Sequence, residues 1–155
     1  MHLTIRTATI ADLELVFDWA NDPVTRSVSF YRAEISHEDH VAWFSKKLDS
    51  DDCLMFIVEG DGVPCAFIRL EPDVELGDAV IGINVAPSFR GQGLGSKALD
   101  TVNEVAAKHN YQRIVALIRP DNVASLKVFE RAGYSFVNHR MINEISAHCF
   151  IRPLN

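Results

Sequence analysis

The chain has 155 residues, of which 48% are hydrophobic, and a net charge of −6. That length and apolar content suit one domain with a single core, and no apolar run approaches the roughly 20 residues needed to cross a bilayer. Acidic and basic residues are interspersed, which excludes a nucleic-acid-binding surface, while Cys53, Cys65 and Cys149 are widely spaced and read as reduced core thiols rather than disulfides or metal ligands.

Met1 to Arg6 lacks the basic-then-apolar order of a signal peptide, so a cytoplasmic location is expected, and Leu3 to Arg6 alternates like a first strand. Thr9 with Asp12 has the spacing of a capping box and opens a helix to about Trp19. Asn21-Asp22-Pro23 breaks that helix, a short one fits Pro23 to Ser27, and Ser36 with Asp39 caps a third from His37 to Leu48. After a turn at Asp49 to Asp52, Cys53 to Glu59 and Val63 to Leu70 read as a hairpin around Gly60-Asp61-Gly62, followed by a strand at Ala79 to Val85. A long helix is expected from Gly93 to about His109, its core face carrying Leu94, Ala98, Leu99, Val102, Val105 and Ala106. Ile114 to Ile118 reads as a buried strand, Asn122 to Ala132 as a helix stopped by Gly133, and Tyr134 to Ile142 and Glu144 to Arg152 as closing strands. This order predicts one α/β domain over residues 1–155, a mixed, twisted sheet of six or seven strands with helices on both faces.

The segment between the third of these strands and the long helix carries the chemistry. Arg90, Gly91, Gln92, Gly93, Leu94, Gly95 and Ser96 place three glycines and a cation where a strand gives way to a helix. Glycines allow the backbone close to an anion, and the free N–H groups of a helix start point at it, so the segment reads as a pyrophosphate cradle. It is not the dinucleotide fingerprint, because position 96 is Ser96 and Tyr111 to Arg113 stands where an acidic residue would end the next strand. A P-loop is excluded too, since Gly91 and Gly95 are too close and Ser96-Lys97 follows them.

The stretch Arg90-Gly91-Gln92-Gly93-Leu94-Gly95 resembles the R-x-x-G-x-G/A signature of the GNAT superfamily of acyl-CoA-dependent N-acetyltransferases. Arg119-Pro120-Asp121-Asn122 through Gly133-Tyr134 resembles the second signature of that family, an asparagine after a strand and a short helix ending in Gly-aromatic. The resemblance implies two parallel strands, ending near Val85 and Ile118, that splay into an acyl-CoA cleft. Acetyl-CoA would be the co-substrate, its pantetheine bonded to Ile83, Asn84 and Val85, with Asn122, Ser125 and Phe129 also contacting it. The implied reaction is direct attack of a primary amine on the thioester, with the backbone N–H of Asn84 or Val85 as oxyanion donor.

The general base is left open. Ile81 to Val85 has no carboxylate and Leu117 stands where the family often has one, so ordered water assisted by Glu71, Glu75, Asp78 or His40 is expected to deprotonate the amine. The tyrosine that serves relatives as general acid corresponds to Phe129, a departure that a thiol leaving group of pKa about 8.5 tolerates. Tyr134 reads as a core aromatic, and His37 with His40 lacks a third metal ligand.

Trp19-Ala20-Asn21-Asp22-Pro23-Val24-Thr25-Arg26-Ser27, with Phe30, Ile35, His40, Trp43 and Phe44, resembles the branch that acetylates 4-amino-sugar nucleotides for pseudaminic-acid-type sugars, and Ile68-Arg69 fits it. On that resemblance Trp19, Asn21 and Phe30 contact the acceptor and Arg26 meets its diphosphate. The Trp-x-Asn/Asp-Asp-Pro opening is also similar to ribosomal-protein N-acetyltransferases, which keeps protein N-termini and small amines as alternative acceptors. A non-catalytic acyl-CoA-binding regulator is a third reading, and a homodimer is compatible with all three.

Overall fold

The computed structural model describes residues 1–73 and 78–154. The elements follow the order β1 (Leu3–Thr7), α1 (Leu13–Ala20), α2 (Pro23–Ser27), α3 (His37–Leu48), β2 (Leu54–Gly60), β3 (Val63–Pro72) and β4 (Ala79–Val85). They continue with α4 (Leu94–Lys108), β5 (Arg113–Ile118), α5 (Val123–Arg131), β6 (Ser135–Ile142) and β7 (Ile145–Pro153). The sheet has seven strands in the order β1-β2-β3-β4-β5-β7-β6, and β4 with β5 is its parallel pair. The expected mixed sheet is therefore present, mostly antiparallel.

Alternating side chains divide the core between the two faces. On one face Phe56, Val58, Ala66 and Ile68 pack with Ala98, Leu99 and Val102 of α4 and Phe129 of α5. On the other, Met55, Ile57 and Phe67 pack with Val16 and Trp19 of α1 and Phe44 of α3. Two tight hairpins join neighbouring strands. Asp61 and Gly62 (φ 50° and 82°) join β2 to β3, and Asn143 and Glu144 (φ 48° and 62°) join β6 to β7. Glu144, expected to begin the last strand, is thus a turn residue.

The first helix is shorter than its pattern suggests. Thr9 does form the capping box with Asp12, but the turn that it opens is a 3-10 turn at Ile10–Asp12, and α1 starts only at Leu13. Arg6 takes both oxygens of Asp12 at 2.9 Å, and these bonds hold the Asp12 carboxyl below the ordinary carboxylate range. The carboxylate thus fastens β1 to the start of α1.

The glycines of the 91–95 loop do two different jobs. Gly91 (φ 75°) and Gly93 (φ 73°) adopt left-handed backbone, with nothing within 4 Å of where a Cβ would sit. Gly95 lies inside α4, where a Cβ would stand 2.8 Å from Val128 Cγ1 of α5. Its small size is required by helix packing, a correction to the expectation that all three glycines serve ligand approach. Gly95→Ala is expected to lose about 1–3 kcal/mol by overpacking, and adding Val128→Ala should recover part of it; thermal melts of the three variants check this.

Candidate active site

β4 and β5 are paired only at Ala79–Ile114, Val80–Val115 and Ile81–Ala116. Beyond that point β4 keeps β3 as far as Val85, and β5 keeps β7 as far as Ile118. The strands therefore part, and Gly82 to Val85 presents a bare edge. Ala86 N–H donates to Cys65 C=O at 2.8 Å, and the β3–β4 register is unbroken. Ladder alternation then turns the backbone groups of Asn84 onto Phe67 of β3 and leaves those of Ile83 and Val85 facing the gap. Of the two expected oxyanion donors only Val85 N–H faces the gap, because Asn84 N–H has the wrong parity. The Asn84 side chain instead lies 3.4 Å from Thr25 Oγ1.

α4 begins where the gap opens. Its N-cap is Gly93, and no side chain caps its first turn, whereas Asp22, Ser36 and Asn122 cap α2, α3 and α5. The N–H groups of Leu94, Gly95 and Ser96 are thus left for an anion in line with the helix dipole. Gln92 turns away and donates to Ser88 C=O at 3.3 Å. The Arg90 side chain does not point along this turn. It donates to Asp22 at 2.7 Å, to Thr25 at 2.9 Å and to Val85 C=O at 3.3 Å, and its bond to Asp22 draws that carboxyl below its ordinary range.

A second arginine does the same from the other strand. Arg119, just beyond β5, is 6% exposed, holds Asp121 through two bonds of 2.9 and 2.6 Å, and donates to Ser29 C=O at 2.9 Å. Asn143 of the β6–β7 turn donates to Phe30 C=O at 2.7 Å. The segment from Asp22 to Phe30 is thereby tied to both sides of the gap. Sequence reasoning placed Arg119 in a signature but missed this role, because its partner is ninety residues away in the chain.

Several expected site residues have structural duties here. Arg26 donates to Ala20 C=O and Tyr31 C=O, both at 2.7 Å, and to Ser29 Oγ at 3.2 Å, which commits its guanidinium to shaping α2 rather than to a diphosphate. Asn21 clamps the Ile35 backbone through two 2.8 Å bonds, and Trp19 is a core residue. Asn122 caps α5 by accepting from Ser125 N–H, which leaves its amide N–H₂ available.

The base candidates are not brought together. His40 is buried at 2% exposure, bonded to Leu13 C=O and packed on Phe17, Trp43 and Phe44; burial pulls its pKa down. Glu71 is paired by Lys47 and Arg69, each at 2.7 Å. Asp78 is paired by Arg113 at the opposite end of β4 from the gap. Glu75 lies outside the described residues.

Phe129 and Tyr134 meet edge to face with ring centres 4.9 Å apart, both 4% exposed. Among the described residues the Tyr134 hydroxyl has no hydrogen-bond partner, and burial drives its pKa far up, so it is no proton donor to the gap. Tyr134→Phe should retain full acetyl transfer and gain about 1 kcal/mol by removing a buried unpaired hydroxyl. Thiol release and thermal melts test both halves.

Residues 2–135 match a family model described as an acetyltransferase (GNAT) domain. A protein of Bacillus subtilis (strain 168), provisionally named a phosphinothricin acetyltransferase, is 28% identical over 139 residues, covering 86% of this chain and 84% of its own. A crystal structure provisionally named a phosphinothricin N-acetyltransferase superposes with a TM-score of 0.80 at 25% identity over 99% of each chain. Spermidine N-acetyltransferase from Vibrio cholerae, in complex with CoA and spermine, shares the fold with a TM-score of 0.85 at 17% identity, over 98% of this chain and 95% of that one.

Proposed function

The chain belongs to the acetyltransferase (GNAT) domain family and is an acetyl-CoA-dependent acetyltransferase; on that premise we propose that it acetylates a small primary amine that is not a polycation, with an amino-sugar nucleotide as the first reading. The observation that carries the transfer reaction is the bare β4 edge beside an uncapped helix start. The edge suits an amide-bearing pantetheine arm, and the helix start suits a pyrophosphate. Acetyl-CoA supplies the activated acyl group. The chain contributes the Ile83 backbone groups to align it, Val85 N–H to bond its carbonyl oxygen, and the α2 segment to wall the side from which the amine arrives.

The acceptor reading rests on charge. Asp22 and Asp121, which fasten the segment beside the gap, are each paired with an arginine, and Glu71 is paired with both Lys47 and Arg69. Polyamines are recognised by carboxylates free to meet them, so these pairings disfavour a polycation. An amino-sugar nucleotide fits, with its diphosphate read by a residue other than Arg26. The names of two relatives favour a second reading, an amino acid of the phosphinothricin type.

With Glu71 and Asp78 paired and His40 buried, we take the amine itself to set the pH dependence. The kcat/KM against pH is expected to rise along one limb that tracks the acceptor amine's own pKa and shifts with it between acceptors. Glu75→Gln should leave that limb unchanged. An acceptor-independent inflection that Glu75→Gln removes would make Glu75 the base. An amine panel read by thiol release should rank anionic and neutral amines above spermidine.

A further inference from the structure

Gly82 is the first β4 residue beyond the last β4–β5 pair, and it stands opposite Arg69 of β3. A Cβ at Gly82 would meet nothing within 4 Å except the Arg69 guanidinium, with Nη2 at 3.6 Å and Cζ at 3.8 Å. The guanidinium therefore lies over an open patch of β4 backbone, on the face of the sheet that carries α1 and α3, at the level where the strands part. It is held from behind. Nε contacts Glu71 at 2.7 Å, Lys47 braces the other Glu71 oxygen at 2.7 Å, and Cζ sits 5.3 Å from the Trp43 ring centre. Among the described residues no group accepts from its two terminal nitrogens, and the side chain is 36% exposed. Lys47, Glu71 and Arg69 together leave one positive charge in excess.

We propose that Arg69 binds the anionic group of the acceptor, a carboxylate or phosphoryl oxygen pair laid over Gly82. A fixed guanidinium fork with free N–H groups is the geometry that recognises such groups bidentately. Gly82 supplies the floor, since any side chain there would occupy the place of the anion. The distance from Gly82 along the strand to Val85 is roughly 10 Å, which sets the scale of the separation between the acceptor's amine and its anion. An amino acid and an amino-sugar nucleotide both fit this scale. A protein N-terminus has no anion fixed at that distance. This inference rests on the acetyltransferase reading and narrows it to anionic amines.

The test uses the full chain with acetyl-CoA and matched acceptors: phosphinothricin and glutamate against glutamate diamide, which carries no carboxylate, and a UDP-4-amino-sugar against the free 4-amino-sugar. The anionic member of a productive pair is expected to be preferred, and which pair responds identifies the source of the anion. Arg69→Gln should lower kcat/KM for that member roughly ten- to hundredfold, chiefly through KM, and leave the neutral member and acetyl-CoA unaffected. Arg69→Lys, which keeps the charge but loses the fork, should recover part of the loss. Gly82→Ala should reproduce the loss without removing any charge. Equal losses on charged and neutral acceptors, or no loss at all, would overturn the proposal, as would a parent enzyme that prefers the neutral members. Calorimetry of the same anionic acceptors in the presence of CoA separates the two readings: binding that Arg69→Gln abolishes supports the anion site even without turnover, and absence of binding to the parent refutes it.

Discussion

The short pairing of β4 with β5 is the constraint on which the site depends. Each strand is fully satisfied on its outer side, β4 by β3 over its whole length and β5 by β7 over its whole length. The inner pairing ends at Ile81 and Ala116, so the sheet behaves as two blades, β1 to β4 and β5 to β7, joined at one end. Unpaired backbone at a sheet edge is normally a liability that a protein covers or charges. Here the exposed groups are the N–H and C=O of Ile83 and the N–H of Val85, whose C=O is taken by Arg90, and a ligand with its own amide groups can complete this edge.

Two blades joined at one end would be free to flex, and the segment from Asp22 to Phe30 is what ties their open ends together. Arg90 follows β4 and reaches Asp22 and Thr25, while Arg119 follows β5 and reaches Ser29. Both arginines therefore act on the same short segment, from opposite sides. Their bonds are charge-assisted or made by a buried guanidinium, and such bonds hold geometry better than neutral contacts. Asp22, drawn below its ordinary range by Arg90, stays ionised at neutral and alkaline pH, so this pairing persists there and is lost only in acid.

Much of the fold was legible because its signals are local. The Thr9–Asp12 capping box, the Asp61–Gly62 turn, the caps at Asp22, Ser36 and Asn122 and the helical face of α4 are each set by neighbours within a few residues. The glycine turn that opens α4 was legible for the same reason, except that Gly95 answers to Val128 on another helix. What failed was the reading of charge. Glu71, Asp78, His40 and Arg26 look available in a linear sequence because Lys47, Arg113, Leu13 and Tyr31 reach them only through the fold. Backbone parity at Asn84 is equally invisible until the β3–β4 register is known.

The chain carries a net charge of −6, yet acetyl-CoA is itself an anion. The two facts are compatible because the field that a bound anion feels is local. At physiological salt, exposed charges more than about 8 Å away are largely screened. The open end of the gap offers the uncapped N-terminus of α4, and the carboxylates Asp22 and Asp121 beside the gap are neutralised by pairing with arginines. Pairing the acids does not add positive charge, but it removes the local repulsion that free carboxylates would impose on a phosphate. It also withdraws the groups that would otherwise attract a polycation. On the proposed reading, one arrangement of ion pairs serves both ends of the gap, sparing the co-substrate's phosphates from repulsion and offering no free carboxylate to a polycation.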